Sequence, residues 1–322
     1  MAVSVLEEPA CPSARLDRRA DRPALTCRDA QGETFRGLAS ETHPRVLVPV
    51  AILLLAFLGA HPSFAGSADP LRPKGIEANL AVAWFDYEEP GLMREYGFLP
   101  GIGVRARFRP DAPGIVLDAQ AELFGGVLTY DGEYQDGTPL TADTVDMVTE
   151  ERGTIGYDLL GRDWRVTPYF GLGYRYWFDR VQVSGGYRRE IRYLFAPMGL
   201  EAAWKLDRSA VVGMRGEYDL FLQGWVSSHL SDVSASWDDA ENGQDFGSGH
   251  GVRGAAFATW PIGQSHFLTL EAFARYWWVG DSKRTIINGP DDPDTTVVEQ
   301  RYYVWEPKNE TLMLGLALSL TF

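Results

Sequence analysis

The chain has 322 residues, of which 44 are acidic and 30 are basic, so its formal charge is −14. Apolar residues make up 45% of the chain, an ordinary globular share that excludes a disordered protein. The acidic excess also excludes a typical nucleic-acid-binding surface, because phosphate neutralisation needs basic side chains.

Two segments precede the first predicted strand. Residues 1–44 are polar and rich in arginine, and we interpret them as a gene start placed too far upstream; a genuine extended leader is the alternative. Residues 45–65 contain Arg45, an apolar run over 46–60 and a small residue, Ala65, at the end. This pattern predicts a signal peptide cleaved after Ala65. The run is short for a membrane-spanning helix, and a retained anchor or buried helix is the alternative.

Both cysteines, Cys11 and Cys27, lie before the predicted cleavage point. A mature chain of residues 66–322 therefore has no thiol, which excludes disulfides, cysteine nucleophiles and zinc–thiolate sites. The sequence also lacks a glycine-rich phosphate loop, a nucleophile elbow and a histidine cluster. We therefore predict no cofactor and no metal site.

From residue 76 onward, apolar residues recur with a period of two, which predicts β-strands. In the clearest segment, apolar residues at 102, 104, 106 and 108 alternate with Arg105, Arg107 and Arg109. No useful length has helical periodicity, so residues 66–322 are predicted to form one all-β domain. We count ten strands, near 77–87, 100–109, 114–129, 149–160, 166–179, 190–206, 210–223, 250–260, 266–279 and 310–322.

The connections between these strands differ in length. Those after even-numbered strands are short, whereas 130–148, 224–249 and 280–309 are long. This asymmetry, together with strands near the ~9–11 residues that a tilted transmembrane strand needs, favours a membrane barrel over a soluble sandwich. The predicted fold is a ten-stranded antiparallel transmembrane β-barrel with short periplasmic turns and long extracellular loops.

Aromatic residues cluster toward the strand ends, where their amphipathic rings suit the two headgroup interfaces. We therefore expect two aromatic girdles on the outside of the wall. Their candidate members are Trp84, Phe85, Tyr87, Tyr174, Tyr176, Trp177, Phe178, Tyr276, Trp277, Trp278, Tyr302, Tyr303 and Trp305.

The polar face of the strands carries charges of both signs, and ten strands enclose only a narrow tube. The arginine-bearing strand precedes the strand of Asp118 and Glu122, so their side chains lie within reach across an antiparallel pair. We predict a cross-linked polar plug, with a narrow pore as the alternative. The predicted lumen network comprises Arg105, Arg107, Arg109, Asp118, Glu122, Arg175, Glu201, Arg215, Glu217, Asp219, Glu271 and Arg275.

The last strand resembles the C-terminal assembly signal of bacterial outer-membrane barrels. It ends Gly315-Leu316-Ala317-Leu318-Ser319-Leu320-Thr321-Phe322, with Ala317 where that family usually has glycine. The resemblance implies that Phe322 is recognised by the barrel-assembly machinery. It also implies a location in the outer membrane of a Gram-negative cell.

The segment Gly224-Trp225-Val226-Ser227-Ser228 is similar to the opening of the fourth loop in omptins, ten-stranded outer-membrane proteases. The resemblance implies an acidic pair near Asp131 and Glu133 and an Asp–His pair near His229 and Asp232, which together activate water. Here the aspartate follows the histidine by three residues, whereas in omptins it precedes the histidine by two. Because a general base needs hydrogen-bond reach, we expect no enzyme activity, with a diverged omptin-like protease as the alternative.

Arg180, Arg188, Arg189 and Arg192 cluster around the third loop, at the expected outer headgroup level. Guanidinium groups pair with phosphate, so we predict that these residues contact lipopolysaccharide; ordinary snorkelling is the alternative. The expected partners are outer-membrane lipid, lipopolysaccharide and the assembly machinery, with no nucleic acid, and we expect a monomer. The role left open is envelope structure, surface interaction or restricted solute passage.

Overall fold

The computed structural model describes residues 69–110, 114–133, 137–206, 210–262, 266–289 and 300–322. The predicted leader (1–44), signal peptide (45–65) and cleavage after Ala65 lie outside the described residues. Within those ranges, no helix combines the length and the hydrophobicity needed to cross a bilayer.

Ten long strands build the wall, and four short strands flank it. The long strands are β1 (Gly75–Glu89), β2 (Met93–Phe108), β3 (Ile115–Glu133), β4 (Pro139–Tyr157), β6 (Trp164–Val181), β7 (Arg188–Lys205), β8 (Val211–Ser228), β10 (Gly249–Ile262), β11 (His266–Val279) and β14 (Asn309–Thr321). The short strands are β5 (Leu159–Leu160), β9 (Ala240–Gln244), β12 (Thr285–Gly289) and β13 (Gln300–Val304).

Each long strand pairs antiparallel with its neighbours, in the order β1-β2-β3-β4-β6-β7-β8-β10-β11-β14. The ring closes where β1 pairs with β14, from Glu77 opposite Thr321 to Glu88 opposite Glu310. Closure leaves the wall without an exposed strand edge, which a bilayer requires. The predicted ten-stranded antiparallel barrel is confirmed.

The outer connections differ from the sequence prediction. Residues 130–148 were expected to form a long loop, but β3 continues to Glu133 and β4 begins at Pro139. The long connections 224–249 and 280–309 contain β9 and the β12–β13 hairpin. The prediction missed these strands because both faces of a strand can be polar beyond the membrane, so the alternation of hydropathy fades there.

The outward face of the wall is apolar. Leu80, Phe98 and Phe170 are 68%, 66% and 65% exposed in the isolated chain. An apolar band of this kind suits acyl chains, since hydrocarbon solvates such side chains and water does not. Above the band, the outward ion pair of Arg94 with Asp86 marks the return to water.

The predicted girdle aromatics divide between the two faces of the wall. Because neighbours on a strand point in opposite directions, Trp84 and Tyr176 face outward, whereas Phe85, Trp177 and Trp277 face inward. Phe85, Trp177 and Trp277 are at most 1% exposed. Part of the expected girdle therefore belongs to the lumen, and the prediction is corrected for these residues.

The outer loops have an apolar core of their own, separate from the barrel. Trp237 and Tyr302 pack against it with their rings 4.8 Å apart. We call this set the loop core; its buried members are Tyr187, Leu230, Ala240, Ile287 and Val304. The loops that it joins therefore form a defined surface above the barrel.

The segment 69–74 packs against the other end of the barrel. Leu71 is buried beside Ala203 and Val211, and its carbonyl oxygen accepts a hydrogen bond of 2.8 Å from Arg165 Nε. The carbonyl of Pro73 accepts a bond from Arg109. The segment thus covers part of the end of the lumen that carries the short turns.

Candidate functional site in the barrel lumen

The side chains inside the barrel form three layers along its axis. From the short-turn end outward, the inward positions of β7 pass from Glu201 through Phe195 to Arg189. Those of β4 pass from Arg152 to Asp146. We name the layers the base network, the aromatic layer and the mouth cluster, in that order.

The base network contains the twelve side chains of the predicted lumen network, together with five more charged residues. All of them lie on the inner wall and are buried or nearly buried. The members are Arg105, Arg107, Arg109, Asp118, Glu122, Glu150, Arg152, Asp158, Arg165, Arg175, Glu201, Arg215, Glu217, Asp219, Arg253, Glu271 and Arg275.

The register of β2 against β3 explains the pairs nearest the base. Arg107 lies directly opposite Asp118, and Arg105 lies one inward position further along. Both arginines donate from Nε to Asp118 Oδ2 at 2.7 Å. Glu201 accepts from Arg165 at 2.6 Å and from Arg215 at 3.1 Å.

Further ion pairs cross the lumen between strands that are not neighbours. Arg152 on β4 donates to Glu217 on β8. Arg275 on β11 lies 2.6 Å from Glu122 on β3. Arg253 on β10 donates to Glu150 on β4. Because these strands lie three or four places apart around the ring, the pairs occupy the tube rather than line it.

A small cavity remains inside the base network. Its volume is about 30 Å³. Arginines from β2 line it together with the short residues Val116, Thr154 and Gly156 of the neighbouring strands β3 and β4.

The aromatic layer separates the base network from the mouth cluster. Its rings contact each other edge to face, as Phe195 does with Trp277 at 5.2 Å. Guanidinium groups of the base network pack beneath it: Arg275 lies 4.6 Å from the Phe273 ring and Arg253 lies 5.4 Å from the Phe195 ring. The layer combines apolar burial with cation–π contact.

The mouth cluster consists of Glu89, Glu95, Asp146, Asp179, Arg189 and Glu306. Arg189 lies at its centre and is 2.9 Å from Asp179 and 3.0 Å from Glu306. Arg189 on β7 also donates to Glu89 on β1, five strands away around the ring. The mouth of the lumen is therefore bridged as well.

Carboxylates outnumber cations in the mouth cluster by five to one. Both carboxylate oxygens of Glu95 lack a hydrogen-bond donor among the described residues. Glu306 comes from the connection between β13 and β14. Burial raises the pKa of Glu306 to about 8; Arg189 lowers this pKa and Glu89 raises it. The mouth cluster therefore places several carboxyl groups beside one cation.

The sequence missed the mouth cluster and placed Arg189 with the lipopolysaccharide-contacting arginines. The structure corrects that prediction, because Arg189 is buried inside the barrel and cannot reach a lipid headgroup. A signal was present: Arg189 shares the parity of Ile191 and Tyr193, which are buried inward residues of the same strand. The acidic members gave no motif, since they come from separate strands and a loop.

The other three arginines of that group lie on the outside of the barrel. Arg188 forms a two-point ion pair with Asp232 at 2.8 and 3.2 Å. Arg192 lies 3.1 Å from Glu241. Arg180 is exposed near the end of β6. These positions leave lipopolysaccharide contact as a prediction for Arg180, Arg188 and Arg192.

His229, one of the predicted catalytic residues, lies at the start of the loop after β8. Its Nε2 is 3.1 Å from Glu190 and its Nδ1 is 3.3 Å from Asp239. Asp232 is held instead by Arg188. Asp232 therefore does not orient the histidine; Asp239, which the sequence did not assign to the predicted Asp–His pair, contacts it instead.

The predicted acidic pair lies elsewhere on the barrel. Asp131 and Glu133 occupy outward positions near the end of β3, and Asp131 accepts a hydrogen bond from Thr141. In the ring, β3 and β8 are four places apart. The structure thus does not bring this pair together with His229 and Asp232.

Phe322 lies at the seam where the barrel closes. Its backbone exchanges two hydrogen bonds with Ile76, at 2.9 and 3.1 Å. The residue thus secures the closing pair of strands, while recognition by assembly machinery remains a prediction. Among the described residues, no group of three or more His, Cys, Asp or Glu side chains has a geometry that could hold a metal ion.

No family model matches the chain, and no curated protein matches its sequence. Among solved structures, the outer membrane protease OmpT from Escherichia coli is similar, with 14% identity and a TM-score of 0.47. That match covers 80% of this chain and 100% of OmpT.

Two further similar structures are outer-membrane proteins. The translocator domain of the autotransporter NalP from Neisseria meningitidis has 11% identity and a TM-score of 0.35, over 83% of this chain and 92% of that one. A major outer membrane protein from Thermus thermophilus has 12% identity and a TM-score of 0.33, and that match covers 76% of this chain and 99% of that one. Each similarity concerns the barrel.

Proposed function

We propose that the protein is a non-enzymatic outer-membrane barrel with a sealed lumen, acting at the cell surface through its outer loops. The observation that carries this proposal is the set of buried ion pairs between strands on opposite sides of the tube. Arg253 with Glu150 and Arg189 with Glu89 are examples at two levels of the lumen. A solute would have to break these pairs in order to pass.

An outer-membrane location is supported by the apolar outward band and by the closed ring of strands. A bilayer accepts only helices and closed barrels, because each backbone polar group must be satisfied internally. The sequence adds the predicted signal peptide and the C-terminal resemblance to an assembly signal. Together these features favour export followed by insertion into the outer membrane.

A surface role is supported by contacts within the described parts of the outer loops. Besides the loop core, Asp238 accepts two hydrogen bonds from Asn288, at 2.9 and 3.1 Å. The side-chain amide of Asn242 donates a hydrogen bond of 2.7 Å to the carbonyl oxygen of Val304. These bonds join the connection after β8 to the connection after β11. A fixed surface of this kind suits contact with a partner or with neighbouring envelope components.

Planar-bilayer recording tests the sealed lumen. The wild-type barrel is expected to give no steady conductance. Because the lumen is bridged at two levels, the triple variant Arg152→Ala, Arg189→Ala, Arg253→Ala removes crossing guanidinium groups at both and is expected to open a measurable current. The matched control Arg94→Ala, Arg188→Ala, Arg192→Ala removes three outward arginines and is expected to stay closed. Steady conductance of the wild type would overturn the plug.

A peptidase assay on whole cells separates the proposal from a diverged omptin-like protease. Wild type and His229→Ala are expected to show the same negligible cleavage. His250→Ala provides a control histidine on the barrel wall. Cleavage by the wild type that disappears in His229→Ala and persists in His250→Ala would establish the enzyme.

Lipopolysaccharide contact is tested by the amount of lipid retained through purification. Replacing Arg180, Arg188 and Arg192 together with alanine is expected to reduce retention, because guanidinium groups pair with phosphate. Arg94→Ala serves as the control, since Arg94 is equally outward but lies on β2. Unchanged retention in the triple variant would remove this contact from the proposal.

A further inference from the structure

The cavity in the base network has more cations than anions around it. Five guanidinium groups and three carboxylates line its volume of about 30 Å³. A cavity of this size holds about two or three water molecules, or one small ion. It therefore offers a small space lined mainly by guanidinium groups.

The carboxylates that line the cavity are already shared among several arginines. Asp118 contacts two guanidinium groups, Glu201 lies within 4.0 Å of four, and Glu217 contacts two. The lining side chains Arg107 and Arg109 are 8% and 2% exposed, so water compensates them poorly. A buried cation needs a compensating anion or hydrogen-bond acceptor. Outside the lining, Asp158 lies 3.0 Å from Arg109 and Glu271 lies 3.6 Å from Arg215. Within the lining, Glu217 Oε2 has no hydrogen-bond donor among the described residues.

Guanidinium donors remain available at the cavity. Nη1 of Arg105, Arg107 and Arg215 donates to no acceptor in the part of the chain that the structure describes. Three guanidinium Nη1 groups around one small volume can donate to different oxygens of a tetrahedral oxyanion. We propose that this cavity binds one small inorganic oxyanion of the phosphate or sulfate class.

Thermal unfolding of the purified barrel tests the site, in a detergent that has no phosphate headgroup. Phosphate replaces chloride at constant ionic strength, and the midpoint is expected to rise with phosphate concentration, because a ligand of the folded state stabilises it. Arg105→Gln is expected to raise the phosphate concentration needed by about tenfold or more, while Asp118 keeps Arg107 as its partner. Arg275→Gln is the matched control, since Arg275 is buried and paired outside the cavity.

The proposal fails if phosphate and sulfate act no differently from chloride on the wild type, or if both variants lose the response equally. Thr154→Leu gives a second test that leaves every arginine in place and fills the cavity instead. It is expected to fold with wild-type gel mobility and to lose the phosphate response. Retention of the response in folded Thr154→Leu would overturn the site. Equilibrium dialysis of labelled phosphate should give about one anion per chain in the wild type.

Discussion

The base network and the mouth cluster are both buried and both span the lumen, yet they balance charge differently. In the base network, Asp118 keeps a second arginine if either Arg105 or Arg107 is lost. In the mouth cluster, Arg189 is the one cation among five carboxylates, and other donors to them are the neutral groups of Tyr87 and Trp177. The base is thus a redundant network, whereas the mouth has a single central cation.

This difference implies two kinds of closure. Asp118 and Glu201 in the base network each have at least two arginine partners, so the loss of one pair leaves others in place. The mouth includes Glu306, whose position in a loop allows it to leave without breaking the wall. Closure of the mouth should therefore respond to the titration of Glu306 and to the loss of Arg189, while closure of the base should tolerate the loss of a single arginine.

The largest effect is expected from Arg189→Met. It removes the only cation of the mouth cluster as defined above. Breaking a buried ion pair by removing one partner lowers the free energy of unfolding by about 3–5 kcal/mol. Arg105→Met should cost about 2 kcal/mol, because Asp118 keeps Arg107. Unfolding in denaturant at pH 9 measures both variants. Equal losses would contradict the contrast between the two regions.

Phe195→Ala tests the layer between them. Removing a buried aromatic ring costs about 3 kcal/mol, and here it also takes away the surface that Arg253 packs against. Val226→Ala, at another buried inward position, is the control, and it is expected to lower the free energy of unfolding by only about 1–2 kcal/mol. The unfolding free energy in detergent measures both, and a loss in Phe195→Ala no greater than that control would show that the layer does not separate the regions.

The pH dependence of the mouth follows from Glu306. The pKa of Glu306 in the folded protein is about 8, above the ordinary carboxyl value. Protonated Glu306 therefore contributes its full share to the free energy of unfolding below about pH 4.3, and this contribution is lost as pH rises through about 8. Exchange of backbone amides in residues 300–309 should therefore accelerate with rising pH more than intrinsic exchange does, by up to about tenfold per unit between those limits.

Glu306→Gln provides the control for that titration. The amide keeps the shape and cannot ionise, so the extra pH dependence of exchange should disappear. Amides of the base strand β14 near Phe322 should show only the intrinsic rate change in both proteins. Equal extra acceleration at the base and at the mouth would contradict the assignment to Glu306.

The smallest effect is expected from the exposed pair Arg188 and Asp232. Surface ion pairs contribute about 0–1 kcal/mol, so Asp232→Ala should change barrel stability by about 0.5 kcal/mol or less. The unfolding midpoint measures this change. A loss comparable to that of Arg189→Met would mean that the outer surface, rather than the lumen, holds the fold together.

Periodicity predicted the wall and the base network well. A slip of one residue moves a whole strand face from lipid to lumen, so the alternation of Ile102 and Val104 with Arg105 fixed which side chains meet. The pairing of Arg105 and Arg107 with Asp118 followed from adjacent strands joined by a short turn. Both predictions rested on residues that are close together along the chain.

The mouth could not be predicted in the same way. Its members are distant in sequence, as Glu89 and Glu306 show, and only closure of the ring brings them together. The predicted aromatic girdles were partly wrong for a related reason. Tyr176 and Trp177 are both aromatic and adjacent in sequence, but they point to opposite faces of the wall. The outer extensions of β3 and β4 lie in water, where hydropathy no longer marks a face.

The central claim is that the outward side chains of each strand face acyl chains while their neighbours face a filled lumen. Spin labels at Leu318→Cys and Ser319→Cys on β14 test it directly, because the described chain contains no native cysteine. In proteoliposomes, the label at 318 should be accessible to oxygen and shielded from a water-soluble nickel chelate, and the label at 319 should be shielded from both. Strong relaxation of the label at 318 by the chelate would contradict the account.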